Sequence, residues 1–307
     1  MSTRNTLPEG VVSLPAHEAH ARHVLDANAW AYFAGGAADE HTLRANPAGW
    51  EALRLHPRIL RPVAGGHTRV SLLGRSLAHP ILLAPVAYQR MAHPDGELGS
   101  AVAASAQEAG LVLSTQASTP LEAVADAIRD DPDRGPLWFQ LYLQHDRGFN
   151  TELIRRAEAA GYEALVLTVD APCSGARDRE RAAGFRLPPG ISAVNLAGLP
   201  PRPARDLAPG RSGLFDDLLH DAPTWDDIAW LQAQTRLPVI LKGVLHPDDA
   251  LEAARQQVGG IIVSNHGGRT LDTLPTTVDA LPAVVDAVGG SLPVLVDGGI
   301  RRGTDVL

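Results

Sequence analysis

His266 and Arg269 stand three residues apart in the run Ser264-Asn265-His266-Gly267-Gly268-Arg269. A neutral imidazole near pH 7 suits proton abstraction, and a guanidinium pairs bidentately with a carboxylate. Gly267 and Gly268 let the backbone turn sharply beside a bound molecule. Together these residues read as a base and a carboxylate clamp. The plainer alternatives are a turn histidine satisfied by backbone and an arginine on the surface.

Such groups need elements to position them. Short apolar runs at residues 81–87, 111–115, 137–142, 164–170, 238–243, 260–265 and 293–299 alternate with helical patterns at 96–109, 120–129, 151–160, 225–234, 247–257 and 277–288. Nearly continuous apolar runs are expected of strands buried on both faces of a parallel sheet. Seven β-then-α units predict an α/β fold of the (β/α)₈ TIM-barrel type. A doubly wound open sheet is the alternative. It calls for a glycine-rich phosphate turn after the first strand, but Ala87 is followed by Tyr88-Gln89-Arg90-Met91.

Barrel enzymes carry their chemistry at the C-terminal ends of the strands. Those ends are Ala87-Tyr88, Ser114-Thr115-Gln116, Gln140 with Tyr142, Thr168 with Asp170, Lys242, Ser264-Asn265-His266 and Asp297-Gly298-Gly299. Asp170 could favour the imidazolium form of His266, or it could be a helix N-cap before Pro172. Lys242 is the only lysine among 27 basic residues. A fixed cation at the barrel mouth suits an anionic cofactor, with an ion pair to Asp297 or Asp170 as the alternative. Residues 297–303 combine glycines with Arg301 and Arg302, which suits a phosphate cradle. A plain glycine-rich turn is the other reading.

Composition narrows the classes. Of the 307 residues 45% are apolar, so a sizeable core is available and global disorder is excluded. The net charge of −8 argues against a nucleic-acid partner. Cys173 is the single cysteine; no internal disulfide or cysteine-based zinc site can form, no metal is expected, and the chain reads as cytoplasmic. Residues 1–15 lack a signal-peptide pattern, and no apolar run approaches the roughly 20 residues of a membrane span.

Residues 1–307 read as one domain. Residues 1–80 are expected to form a helical cap, with helices at 17–35 and 42–53. The Ser118-Thr119 pair signals an N-cap for the helix at 120–129. Residues 190–222 form a long Pro/Gly-rich loop. After the seventh strand one more βα unit would need roughly 30 residues, so the barrel is expected to be truncated after strand 7.

With these residues placed, the chain resembles the FMN-dependent 2-hydroxy acid oxidase and dehydrogenase family, which includes glycolate oxidase, lactate oxidase and mandelate dehydrogenase. The resemblance runs from about Trp30 to Leu307. It rests on residues 32–42, 56–60, 84–97, 139–142, 167–172, 241–244, 262–272 and 297–306. The 84–88 segment and Asn195-Leu196 are most similar to 4-hydroxymandelate oxidase. The resemblance implies FMN as cofactor and oxidation of an L-2-hydroxy acid to the 2-keto acid. It implies that His266 takes the α-proton, or the hydroxyl proton if hydride moves to the flavin. Asp170 would support the imidazolium, Arg269 and Tyr32 would hold the carboxylate, and Arg177 would be a further substrate-binding residue. Tyr142 would hydrogen-bond the substrate oxygen. Ala87, Ser114, Gln140, Thr168, Lys242 and Ser264 would contact the flavin, Asp297 the ribityl hydroxyls, and Gly299 and Arg301 the phosphate.

Gln116 stands where glycolate oxidase-like members carry an aromatic residue lining the substrate pocket, so the substrate need not be glycolate; a hydrophobic or aromatic acid such as mandelate is the expected substrate. Val86 replaces a small hydroxyl residue beside the flavin. The family's eighth βα unit and its Gly-Arg phosphate pair find no match. A non-catalytic or partner-completed remnant of the barrel is therefore the alternative function. Oxygen or a quinone is the expected electron acceptor, and a homo-oligomer, a tetramer by resemblance, the expected assembly.

Overall fold

The computed structural model describes residues 8–203 and 205–307. Residues 1–7, the first part of the expected cap, and Ala204 of the long loop lie outside the described residues. After three helices, α1 (Leu14–Val24), α2 (Ala27–Ala34) and α3 (His41–Ala52), comes a hairpin of β1 (Val70–Leu72) and β2 (Arg75–Leu77). Seven parallel strands follow: β3 (Leu82–Leu83), β4 (Gly110–Leu113), β5 (Leu137–Leu141), β6 (Ala164–Thr168), β7 (Val239–Val244), β8 (Gly260–Val263) and β9 (Val294–Val296). They pair strictly in chain order, which excludes the doubly wound alternative. The sheet curls as a TIM-barrel wall whose edges, among the described residues, are β3 and β9.

The outer wall is α4 (Gly96–Ala106), α5 (Leu121–Ile128), α6 (Arg147–Ala160), α8 (Asp226–Gln234), α9 (Pro247–Arg255) and α10 (Thr277–Val288). A five-residue helix, α7 (Asp178–Ala182), lies beyond β6, and α11 (Gly303–Val306) ends the chain. Strand parity sorts the core. Leu111, Leu113, Leu137, Phe139, Leu141, Leu165 and Leu167 point outward into the helix-facing cluster, with Leu121, Leu153, Ile154 and Leu231. Val112, Trp138, Ala164, Val166, Ile240 and Ile262 form a second cluster inside the curl. The last inward apolar residue of each strand, Val112, Trp138, Val166, Ile240 and Ile262, shares its parity with a polar residue two positions on: Ser114, Gln140, Thr168, Lys242 and Ser264. Because side chains alternate along a strand, the same face that is apolar near the bottom becomes polar at the C-terminal mouth.

Several expectations are corrected. The N-terminal cap is not wholly helical: the β1–β2 hairpin sits within it, and Leu72 and Leu73 pack against the inner cluster. The helix expected at 17–35 breaks at Asp26, whose carboxylate accepts the Ala29 amide at 2.7 Å as the N-cap of α2. The strand expected over 81–87 pairs only at Leu82 and Leu83, against the single neighbour β4. α6 starts at Arg147, earlier than expected, because Asp146 caps it. Ser118 and Thr119 do not cap α5; their hydroxyls bond Glu97, and Asn195 Oδ1 accepts the Leu121 amide at 2.9 Å instead. No helix among the described residues is long and apolar enough to cross a membrane.

Candidate active site

The polar upper layer is cross-linked from strand to strand. Gln140 Nε2 donates to Thr168 Oγ1 at 3.0 Å, while Gln140 Oε1 accepts the Thr115 amide at 3.0 Å, which fixes the orientation of the carboxamide. Lys242 Nζ donates to Ser264 Oγ at 2.7 Å and pairs with Asp297 Oδ2 at 2.8 Å. The ion pair named as the alternative for Lys242 is therefore present, and it lies inside the same layer. The Lys242 side chain is only 6% exposed, so its ammonium is held where water cannot compete.

His266 follows β8 in a left-handed backbone conformation, φ +57°, which a residue with a Cβ rarely adopts. Gly267 (φ +65°) and Gly268 (φ +71°) continue the turn. A Cβ at Gly268 would lie 2.5 Å from the Leu43 amide nitrogen, so α3 can approach only because this position is glycine. Asn265 Oδ1 accepts the Gly268 amide at 3.2 Å, and Ser264 Oγ accepts the His266 amide at 3.1 Å. The turn presents the imidazole, with Nδ1 2.9 Å from Asp170 Oδ1 and Nε2 3.4 Å from the Tyr142 hydroxyl. An ionised carboxylate only accepts hydrogen bonds, so this pairing selects the neutral tautomer with its proton on Nδ1 and its lone pair on Nε2. Asp170 is thus the partner of His266 and not an N-cap.

Asp170 reaches this position across an irregularity in β7. The register of β7 against β8 shifts between Lys242 and Val244. Gly243, at φ +114°, sits against Asp170; a Cβ there would lie 2.5 Å from Asp170 Cβ and Cγ. Bulges of this kind re-aim neighbouring groups beside active sites.

Opposite the imidazole lies a cationic corner. Arg269 Nη1 donates to the carbonyls of Tyr32 (2.7 Å) and Gly35 (2.5 Å), and its guanidinium stands 5.2 Å from the Tyr32 ring centroid. It is a partly buried arginine and not a freely exposed one: burial first, and then the charge of Arg177, act to lower its pKa. Arg177 Nη1 pairs with Glu180 Oε1 at 2.9 Å, and Arg269 Nη2 lies 3.6 Å from the same oxygen. Tyr32 stacks on Phe185 (5.0 Å) and meets Tyr88 edge-on (5.9 Å). Burial pushes the Tyr32 phenol up to about 12 against the lowering pull of Arg269 and Arg177. Burial, reinforced by Asp170, raises Tyr142 above the ordinary phenol value as well. Both hydroxyls are therefore proton donors at any working pH.

The remaining expected contacts divide. Ser114 is buried at the mouth with its Oγ accepting the Gln116 amide at 3.1 Å, and Ala87 is half-buried beyond β3. Asp297 Oδ1 is a buried oxygen without a partner, beside Gly298 (φ +95°) and Gly299 (φ +87°). Arg301 is exposed, and its guanidinium turns back to the Ile300 carbonyl at 3.1 Å, apart from the Lys242 cluster. Some residues that shape the site gave no signal in the chain. Asn46 exchanges side-chain hydrogen bonds with Asn265. The Asp272 carboxylate accepts the His41 and Thr42 amides at the start of α3. Buried Glu97 accepts from Gln89 N, Ser118 N, Ser118 Oγ and Thr119 Oγ1, tying the loop after β3 to the loop after β4. For Glu97 and Asp272 the positions in the resembling segments 84–97 and 262–272 were the only available clues.

Comparison with known proteins places this arrangement. The chain belongs to the FMN-dependent dehydrogenase family, whose model matches residues 21–307. Its FMN-dependent 2-hydroxy acid oxidase character follows from relatives that match nearly all of this chain and about four fifths of their own length. An L-lactate oxidase of Alicycliphilus denitrificans is 48% identical over 99% of this chain and 82% of its own length. The human 2-hydroxyacid oxidase 1 is 39% identical over 97% of this chain and 80% of its own. Among solved structures, mandelate oxidase with (S)-2-phenylpropionate superposes with a TM-score of 0.83 at 41% identity, covering 96% of this chain and 80% of that one.

Proposed function

We propose that His266 is the base that initiates oxidation of an L-2-hydroxy acid to its 2-oxo acid, with Arg269, Arg177 and Tyr32 holding the carboxylate. The observation that carries this reading is the His266–Asp170 pair, with Nε2 turned toward Tyr142. A base needs a free lone pair and a support for the charge it gains. Nε2 supplies the first, and Asp170 stabilises the imidazolium once the proton has moved, whether that proton comes from carbon or from the hydroxyl. Tyr142, protonated throughout, donates to the substrate hydroxyl oxygen and orients it. The aromatic neighbourhood of Tyr32, Tyr88 and Phe185 suits an apolar side chain. Lactate and mandelate, the acids in the names of the relatives, bracket its size.

Bound FMN supplies the two-electron acceptor. The polar layer fits it: Ala87, Ser114, Gln140, Thr168 and Ser264 offer the isoalloxazine edge an apolar contact, donors and acceptors, and Lys242 offers a positive charge. Asp297, with a buried oxygen lacking a partner, suits a ribityl hydroxyl, and the amides about Gly299 with Arg301 suit the phosphate. Oxygen as the final acceptor agrees with the oxidases among the relatives; a homo-oligomer is the assembly we expect by size-exclusion chromatography.

The test is anaerobic mixing of the FMN-loaded protein with L-lactate and with (S)-mandelate. Flavin absorbance at about 450 nm is expected to bleach, and His266→Ala should slow bleaching by about 10²–10⁴-fold while retaining bound FMN. Bleaching at the wild-type rate in His266→Ala would remove His266 as the base.

A further inference from the structure

Glu180 has no role in the chemistry described above, yet it sits in the middle of the carboxylate clamp. Its Oε1 is 2.9 Å from Arg177 Nη1 and 3.6 Å from Arg269 Nη2. Its side chain is 15% exposed and both arginine side chains are 19% exposed, so the three charges share one poorly solvated corner. Neighbouring carboxylates are engaged elsewhere: Asp178 pairs with Arg181, and Glu40 with Arg179. Among the described residues, Glu180 is the only carboxylate paired with either clamp arginine. Arg177 Nε is a buried donor without a partner, so the clamp retains hydrogen-bonding capacity that Glu180 does not use.

Charge bookkeeping gives this arrangement a consequence. Two guanidinium groups and one carboxylate sum to +1, which a single incoming carboxylate neutralises. A second negative charge on the ligand would enter the same corner without a counter-ion, and a buried unpaired charge is strongly disfavoured. We propose that Glu180 is a specificity-determining residue: it sets the clamp at one net positive charge, so that the site takes 2-hydroxy monocarboxylates and turns away 2-hydroxy dicarboxylates. This inference rests on the reading of Arg177 and Arg269 as the carboxylate clamp.

Coulomb energy is proportional to the charge of the ligand. Removing the Glu180 charge should therefore leave a neutral ligand unaffected, tighten a monoanion by some factor, and tighten a dianion by roughly the square of that factor. The variant is Glu180→Gln, which keeps the shape and an oxygen that accepts from Arg177. The probes are 2-hydroxy-phenylacetamide (neutral), 2-phenylpropionate (one charge) and malate (two charges), titrated calorimetrically into the FMN-loaded full chain without oxygen. Expected tightening is none for the amide, about threefold for the monoanion and about tenfold for the dianion. Flavin bleaching should show the same trend, with malate gaining over lactate through KM and not through kcat. Glu180→Asp, which keeps the charge, should restore wild-type discrimination. Glu180→Ala, which removes both charge and shape, should shift the malate-to-lactate ratio in the same direction as Glu180→Gln.

Equal changes for amide, monoanion and dianion would make Glu180 a purely structural strut and overturn the proposal, as would unchanged affinities for all three. Failure of the underlying reading looks different. In that case the wild-type protein would bleach with no 2-hydroxy acid, and the monoanion would bind no better than the amide.

Discussion

The side-chain amides of Asn46 and Asn265 exchange two hydrogen bonds, of 2.9 and 2.8 Å, across 219 positions of the chain. Asn265 also donates to the Pro275 carbonyl at 3.0 Å, and both side chains are buried. The pair clamps α3 onto the turn that carries His266, in contact with its glycines. Asn46→Ala should leave one N–H of Asn265 without a partner, its Oδ1 keeping only the Gly268 amide. A buried polar group left unsatisfied costs about 1–3 kcal/mol, to be read as a lowered urea midpoint. Flavin reduction by lactate should slow in the same variant, because the His266 backbone loses its brace. An unchanged midpoint would show that the pair is dispensable.

Gly243 and Asp170 give a sharper test of positioning. Alanine at 243 meets two obstacles: a φ of +114° that a Cβ disfavours, and contact at 2.5 Å with Asp170 Cβ and Cγ. Gly243→Ala should displace the carboxylate from His266 Nδ1. Misplacing a catalytic support by about 1 Å costs about 10²-fold in rate. Stopped-flow bleaching should therefore fall by that order while FMN remains bound. A wild-type rate would mean that Asp170 does not depend on this glycine for its position.

The upper layer was legible in the chain because the inward parity of each buried strand runs from apolar to polar near its end: Trp138 to Gln140, Val166 to Thr168, Ile240 to Lys242, Ile262 to Ser264. Periodicity of two makes that pattern local, and local patterns can be read. The β1–β2 hairpin was not legible. Its two-residue turn is Leu73-Gly74, with φ +50° and +78°, and leucine is a poor signal for a left-handed turn position where asparagine or aspartate would be a strong one. Asn46, Glu97 and Glu180 were missed for another reason. Each is an ordinary polar residue in a helical stretch, and its distant partners (Asn265 for Asn46, Ser118 and Thr119 for Glu97, Arg269 for Glu180) reach it only through the curl of the sheet. Ser118 and Thr119 show the opposite failure: a sound local capping signal lost to Glu97, a buried carboxylate that needs those hydroxyls more.

Lys242 and Asp297 bear on cofactor retention. Their 2.8 Å ion pair is the charged centre of the polar layer. Lys242→Met should leave the Asp297 carboxylate partly buried and unpaired, at a cost of about 3–5 kcal/mol typical of breaking one side of such a pair. FMN affinity, measured by recovery of free-flavin fluorescence on dilution, should weaken along with stability. The double variant Lys242→Met with Asp297→Asn removes the stranded charge, and should recover stability but not FMN affinity. Recovery of both would reduce the lysine to a structural counter-ion.

Asp272 links the substrate-clamp segment to the start of α3 through a titratable group. Burial acts to raise its pKa, but hydrogen bonds from the Thr42, His41 and Thr273 amides outweigh that and bring it down to about 2 from an ordinary 3.8. A carboxylate with a depressed folded pKa stabilises the fold above its unfolded pKa and loses that contribution as pH falls through the folded value. The stability difference between the wild type and Asp272→Ala should therefore be constant at neutral pH. It should shrink as pH falls below 3.8, and its charge-dependent part should be lost as pH falls through about 2. Denaturant midpoints taken along an acid series measure it. Asp272→Asn removes the charge and keeps one oxygen, an acceptor for only one of the two helix amides, so its advantage over Asp272→Ala should be small and independent of pH. If the wild-type advantage over Asp272→Ala persisted undiminished at pH values near 2, the cap would be acting through its geometry and not through the charge held by α3.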